Sequence, residues 1–166
     1  MSKIKLATNH GEIVLQLDAE RAPTTVANFL GYVDSGHYDG TIFHRVINGF
    51  MIQGGEWEPG MKKKKTGASI HNEADNGLKH VKYSVAMARE MEPHSAKAQF
   101  YINLADNEFL DHTGKNVKGW GNAVFGEVIE GKEVVDAIAA VSTGTKNGRE
   151  DVPDGDVVIE RAEIIG

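Results

Sequence analysis

No cysteine occurs among the 166 residues, which excludes disulfides, thiolate nucleophiles and thiolate metal sites outright. No apolar run is long enough to span a bilayer. Met1-Ser2-Lys3-Ile4-Lys5-Leu6 leads straight into alternating residues, without the apolar segment of a secretory signal. A cytoplasmic protein is the expectation, with no membrane partner. Basic charge is in deficit: 18 Lys and Arg against 24 Asp and Glu leave a net charge of −6. That balance argues against a nucleic-acid or anionic-membrane surface. H-E-x-x-H, the P-loop and G-x-S-x-G are all absent, so metalloprotease, nucleotide hydrolase and esterase readings lack their motifs. Of the seven histidines, His10, His37, His44, His71, His80, His94 and His112, none has another at i+2, i+3 or i+4. The expectation is therefore no metal site and no cofactor.

What is present describes one domain over residues 1–166, long enough to bury a full core. Nineteen glycines suggest many turns and hence many short strands. Ile4 and Leu6, then Ile13, Leu15 and Leu17, alternate around Asn9-His10-Gly11 and predict a hairpin. Pro23 suits a first helical turn. Val26, Phe29, Leu30 and Val33 follow at helical spacing and Gly36 sits at a C-terminal cap position, so a helix is expected at about 23–35. Strands are expected at roughly 42–47, 51–55, 84–88, 99–103, 124–128 and from Val157 to Ile165, with a second helix within Gly131 to Val141. Glu56 to Tyr83 reads as a long loop in which Lys62 to Lys65 are solvated, and Arg89 to Lys97 as irregular. About eight strands with two distant helices disfavour a parallel βαβ sheet and favour an antiparallel barrel or sandwich.

One stretch stands apart. In Thr41 to Trp57 a single arginine, Arg45, is set among Phe43, Val46, Ile47, Phe50 and Met51. A guanidinium keeps its charge at any ordinary pH and is costly to surround with apolar groups, so its expected burial asks for a function. His44 falls on the opposite strand face and is expected to be packed and hydrogen-bonded rather than a catalytic base. Asn48-Gly49 alone suggests a two-residue turn, which would set Arg45 against Ile52.

Phe43 to Gly55 (F-H-R-V-I-N-G-F-M-I-Q-G-G) closely resembles the signature of the cyclophilins, the peptidyl-prolyl cis-trans isomerases. Ala86 to Ala88, Ser95 to Ile102, Phe109-Leu110 and Val124 to Val128 resemble it too, so the likeness runs over essentially the whole chain. Trp120-Gly121 looks most like a bacterial cytoplasmic member. The resemblance implies a mainly β fold, a closed eight-stranded antiparallel barrel capped by two α-helices, with a proline-binding groove on its outer face. By the same resemblance Arg45 is the catalytic arginine, and Phe50, Met51, Tyr101, Phe109 and Leu110 hold the proline ring. Gln53 and Gln99 orient Arg45 and bind substrate backbone, while Ala88, Arg89 and Glu90 pair with the peptide as an added strand. Partners would be proline-containing peptides and unfolded or folded client proteins, and the enzyme would be a monomer. Tyr101 and Phe109 replace the family's usual phenylalanine and tryptophan, Arg89 an asparagine, and Asn122 a common histidine. Cyclosporin binding is expected to be weakened, because that tryptophan donates a hydrogen bond and phenylalanine has no donor. A proline-binding module without turnover is the alternative. For Arg45 and Gln53 to meet, the loop must contain three residues, Asn48-Gly49-Phe50; that register is the expectation.

Overall fold

A computed structural model describes residues 2–166. The elements in order are β1 (Ser2–Thr8), β2 (Gly11–Leu17), α1 (Pro23–Asp34), β3 (Thr41–Ile42), β4 (Arg45–Ile47), β5 (Met51–Gly54), β6 (Trp57–Glu58) and β7 (Lys62–Lys63). There follow β8 (Ser84–Met87), β9 (Phe100–Asn103), β10 (Val124–Glu130), α2 (Lys132–Ala139), β11 (Thr143–Lys146), β12 (Arg149–Pro153) and β13 (Val158–Ile164). Short 3-10 helices cover Ala74–Asn76 and Glu108–Leu110. No helix of the described residues is long and apolar enough to cross a membrane.

Nine strands form one curled antiparallel sheet in the order β3-β13-β1-β2-β10-β8-β9-β5-β4. Its two edges, β3 and β4, are consecutive in the chain, separated only by Phe43 and His44. The expected strand at 42–47 is thus one strand broken in the middle. Its first part pairs with β13 and its second with β5, while the Phe43 N–H donates to the Val157 carbonyl at 2.9 Å. Counted as one, the broken strand gives the expected eight, and the barrel closes through backbone at Phe43-His44. At that closure Gly54 passes so near that a Cβ would collide with the Ile42 carbonyl oxygen and sit 2.9 Å from Phe43 Cα.

Strand alternation divides the apolar residues between two clusters. Ile52, Val85, Met87, Phe100, Ile102 and Phe125 point inward, where they meet Phe29 of α1 and Val135 and Ile138 of α2. Phe29 is the hub, its ring 4.9 Å from Tyr38, 5.3 Å from Phe100 and 5.1 Å from Phe125; truncating such a residue costs about 3–5 kcal/mol. Met51, Ala86, Tyr101 and Val124 point outward and form a second, smaller cluster with Phe50 and Leu110 on the barrel's outer face. Strands β8 and β9 are therefore buried on both faces.

Helix α1 lacks a side-chain cap from its own N-terminal residue. Glu73, about fifty positions on, supplies one: its carboxylate accepts from the Thr24 N–H at 3.2 Å and the Thr25 N–H at 2.7 Å. The loop expected at 56–83 is more ordered than its composition suggests. Strands β6 and β7 form a small hairpin, and Lys64, instead of being solvated, donates through Nζ to the carbonyls of His37 and Asp39 at 2.7 and 2.9 Å.

Candidate active site

Arg45 and Gln53 are opposed across β4 and β5, with Val46 against Ile52 and Ile47 against Met51. The loop between them contains three residues, closed by a Phe50 N–H to Ile47 carbonyl bond of 3.0 Å, with Gly49 at φ 80°. Alternation then sends Val46 and Ile52 inward and sets Arg45, Met51 and Gln53 on the outer face. Arg45 is consequently exposed, which corrects the expectation of burial. Of its apolar neighbours in sequence, Phe43 and Val46 turn into the core, while Ile47, Phe50 and Met51 join the smaller cluster on the outer face beside it without covering it. Among the described residues no hydrogen bond or ion pair occupies its guanidinium.

Beside it lies a concavity of about 160 Å³ lined by Arg45, Phe50, Met51, Gln53, Ala88, Arg89, Tyr101, Leu110 and Asn122. Met51 and Tyr101 are 2% and 4% exposed and make an apolar floor. Leu110 forms a wall from the 3-10 helix, held in place as its carbonyl accepts the Asn122 N–H at 3.0 Å. The Asn122 amide in turn donates to the Met87 carbonyl at 3.0 Å, tying that wall to β8. Phe109 does not line the concavity. It is 73% exposed at the rim, its ring centroid 5.7 Å from that of Phe50.

Gln99 lies one layer behind. It accepts from Gln53 Nε2 at 2.9 Å and donates to the buried Glu56 carboxylate at 2.5 Å. This fixes the Gln53 amide with its nitrogen toward Gln99 and leaves Oε1 without a hydrogen bond among the described residues. Glu56 is a residue the sequence reading omits, since a carboxylate after Gly54-Gly55 carries no periodic signal.

The segment expected to pair with a peptide is partly committed already. The Ala88 N–H donates to the Gln99 carbonyl at 3.0 Å and the Glu90 N–H to Ser95 Oγ at 2.8 Å. The Arg89 side chain locks the loop, donating to the carbonyls of Gly121, Glu90 and Met91 at 2.8, 2.9 and 3.1 Å. Among the described residues the Arg89 N–H alone of these three has no intramolecular partner. Arginine at this position thus has a structural use that its main chain would not reveal.

His44 is packed as expected, at 4% exposure, with its ring centroid 6.1 Å from that of Trp57. Contrary to the expected hydrogen bond, its Nδ1 is buried without a partner among the described residues. Burial, then the Arg149 and Arg45 charges, lower its pKa to about 4, so the ring is neutral at physiological pH. Arg149 comes from the β11–β12 hairpin, also absent from the sequence reading, and lies 4.6 Å over the Trp57 ring.

Comparison with known proteins agrees with this geometry. The family described as cyclophilin type peptidyl-prolyl cis-trans isomerase/CLD matches residues 3–164. A peptidyl-prolyl cis-trans isomerase of Streptomyces antibioticus is 61% identical over 166 residues, covering 100% of both chains. Peptidyl-prolyl cis-trans isomerase B of Escherichia coli is 55% identical over 95% of this chain and 96% of its own. A cyclophilin type isomerase of Cryptosporidium parvum, crystallised in the presence of the dipeptide Ala-Pro, superposes with a TM-score of 0.83 at 26% identity, covering 99% of each chain. The curled antiparallel barrel, the outer groove beside Arg45 and these matches together assign the chain to the cyclophilin family, and it is a peptidyl-prolyl cis-trans isomerase.

Proposed function

We propose that Arg45 is the catalytic residue and that the concavity beside it holds the proline ring, against Phe50, Met51, Tyr101 and Leu110. In this reading Gln53 and Asn122 contact the substrate, Gln99 acts through Gln53, Phe109 flanks the chain at the rim, and the Ala88-Arg89-Glu90 segment offers the Arg89 N–H to the peptide backbone. The single observation that carries it is the unpaired guanidinium of Arg45 standing over an apolar floor in register with Gln53.

Rotation about a peptide bond costs ~18–20 kcal/mol because it destroys amide resonance. X-Pro bonds populate both isomers yet exchange over roughly tens to hundreds of seconds. At the twisted transition state the proline nitrogen becomes pyramidal and regains a lone pair. A guanidinium that donates to that lone pair binds the twisted state better than the planar one, and only such a difference accelerates a reaction. One charge-assisted hydrogen bond contributes about 1.5–3 kcal/mol, or roughly one to two powers of ten in rate. The rest comes from a floor that holds the ring while the preceding carbonyl turns. No nucleophile or electron transfer enters the reaction.

The Ala-Pro dipeptide named with the Cryptosporidium relative supports proline-containing peptides, in unfolded or folded client proteins, as substrates. The whole chain acts as one isomerase domain in this proposal, cytoplasmic and monomeric, and binds cyclosporin weakly. Fractionation and light scattering test location and state. A proline-isomer exchange assay with Arg45→Ala tests the site: peptide binding is retained and exchange falls about 10- to 100-fold. Exchange at the wild-type rate would remove Arg45 from the mechanism.

A further inference from the structure

Beneath the proline pocket three side chains lie in line. Asp111 directly follows the 3-10 helix that carries Leu110. Its Oδ1 accepts from both the main-chain N–H and the ring Nδ1 of His80, each at 2.8 Å. His80 is 1% exposed, and its Nε2 stands 2.7 Å from the Tyr101 hydroxyl. The chain of contacts therefore joins the wall of the pocket to its floor through one buried imidazole.

The protonation pattern follows from the partners. A carboxylate can only accept, so the proton of a neutral His80 sits on Nδ1 and leaves Nε2 as an acceptor. The Tyr101 hydroxyl must then donate to Nε2. Burial acts in favour of both neutral forms: it lowers the His80 pKa against the opposing pull of Asp111, and it raises that of Tyr101 well above the usual phenol value. With its hydrogen directed to the back, the phenol presents an aromatic face to the groove, and the angle of its ring is set by the tie. A phenylalanine here would strand Nε2 as a buried acceptor without a donor. Tyrosine and histidine thus belong to one device.

We propose that His80 and Asp111 are positioning residues of the isomerase, which act through the Tyr101 hydroxyl to fix the height and tilt of the proline-pocket floor. The inference rests on the reading that this concavity holds proline. Positioning of this kind matters because a small displacement of a contact surface is felt in the rate.

Two measurements test it. Nitrogen NMR of the intact wild-type protein reads the His80 tautomer without any substitution; Nδ1–H with an unprotonated Nε2 is expected, and Nε2–H overturns the proposal. The second is a cycle in kcat/KM for a proline tetrapeptide. His80→Leu lowers it about five- to tenfold, within the coupling expected of contacting side chains. His80→Gln, whose amide can donate to Asp111 and accept from Tyr101, recovers most of that loss. In a Tyr101→Phe background His80→Leu and His80→Gln become equal, because the hydroxyl they differ over is gone. Equal losses for the two in both backgrounds overturn the proposal. Phe50→Ala separates the two levels: if it leaves kcat/KM unchanged the groove reading fails, whereas a marked loss with an additive cycle removes only the positioning role.

Discussion

Arg45 and Gln53 face each other across a three-residue loop, and Gln53 in turn is held by Gln99 and Glu56. The free oxygen of Gln53 is thereby aimed by a carboxylate two hydrogen bonds away. Glu56→Gln keeps the shape of that side chain while removing its charge and letting the Gln99 amide turn over. The expected result is a fall in kcat/KM of about tenfold, the scale of one hydrogen bond to a charged group. A steady-state isomerase assay checks it, with a circular dichroism spectrum to show the fold unchanged; kcat/KM within twofold of wild type would show that Gln53 needs no such support.

The ionisation of His44 gives a dependence on pH with a definite sign. Its folded pKa of about 4 lies below the unfolded value of about 6.5, so the unfolded chain binds the extra proton. This contribution to stability is complete above pH 6.5 and is lost progressively as pH falls to 4, amounting to roughly 3 kcal/mol. Urea unfolding at pH 7 and pH 4.5 of wild type and His44→Phe measures it: the variant loses less stability on acidification, and His37 and His80, whose pKa values burial also lowers, contribute to what remains. Activity is nearly constant from pH 6 to 8, since a guanidinium is charged at any ordinary pH and His44 is neutral throughout that range. A steep loss near pH 6.5 would implicate an imidazole in catalysis.

At the groove's rim Phe109 presents a ring with no donor. Phe109→Trp adds an indole N–H, the donor that the family's tryptophan offers to cyclosporin. The expected gain in affinity is about five- to tenfold, the value of one neutral hydrogen bond. Isothermal titration of the two proteins reads it directly. An unchanged affinity would mean that the rim residue does not meet the drug in this chain.

Closure of the barrel depends on the bare Cα of Gly54, since a methyl group there would strike the Ile42 carbonyl. Gly54→Ala forces the two ends of the broken strand apart and is expected to cost about 1–3 kcal/mol. A lowered urea midpoint with an unaltered slope is the result that supports this. Full stability would show that the segment yields freely.

Local pattern carried much of the fold into view. Helix α1 and the first hairpin follow from side-chain spacing with turn residues at either end. The β4–β5 register required more, because Asn48-Gly49 favours the wrong turn and only the need for Arg45 to meet Gln53 selects the right one. Exposure of Arg45 was legible in the strand's alternation yet hidden by its apolar neighbours in sequence. The β11–β12 hairpin was also signalled: Asn147 and Gly148 both take positive φ, 51° and 77°, as an Asn-Gly turn of the tightest kind does. The unreadable parts are pairings between polar residues far apart in the chain. Glu73 on α1, Arg149 on Trp57 and Asp111 with His80 and Tyr101 lie in segments without period, where nothing local names the partner.

The break at Phe43-His44 has a bearing on what this enzyme handles. A sheet with open margins is a template on which extended chains can stack, and an isomerase that handled unfolded chains, as proposed above, would meet many of them. Because β3 and β4 are halves of one strand, its two margins are only two and three residues long and are bound to each other covalently. The barrel sheet itself therefore offers an extended segment almost no free ladder. A barrel closed in this way is a poor template for the stacking of other chains.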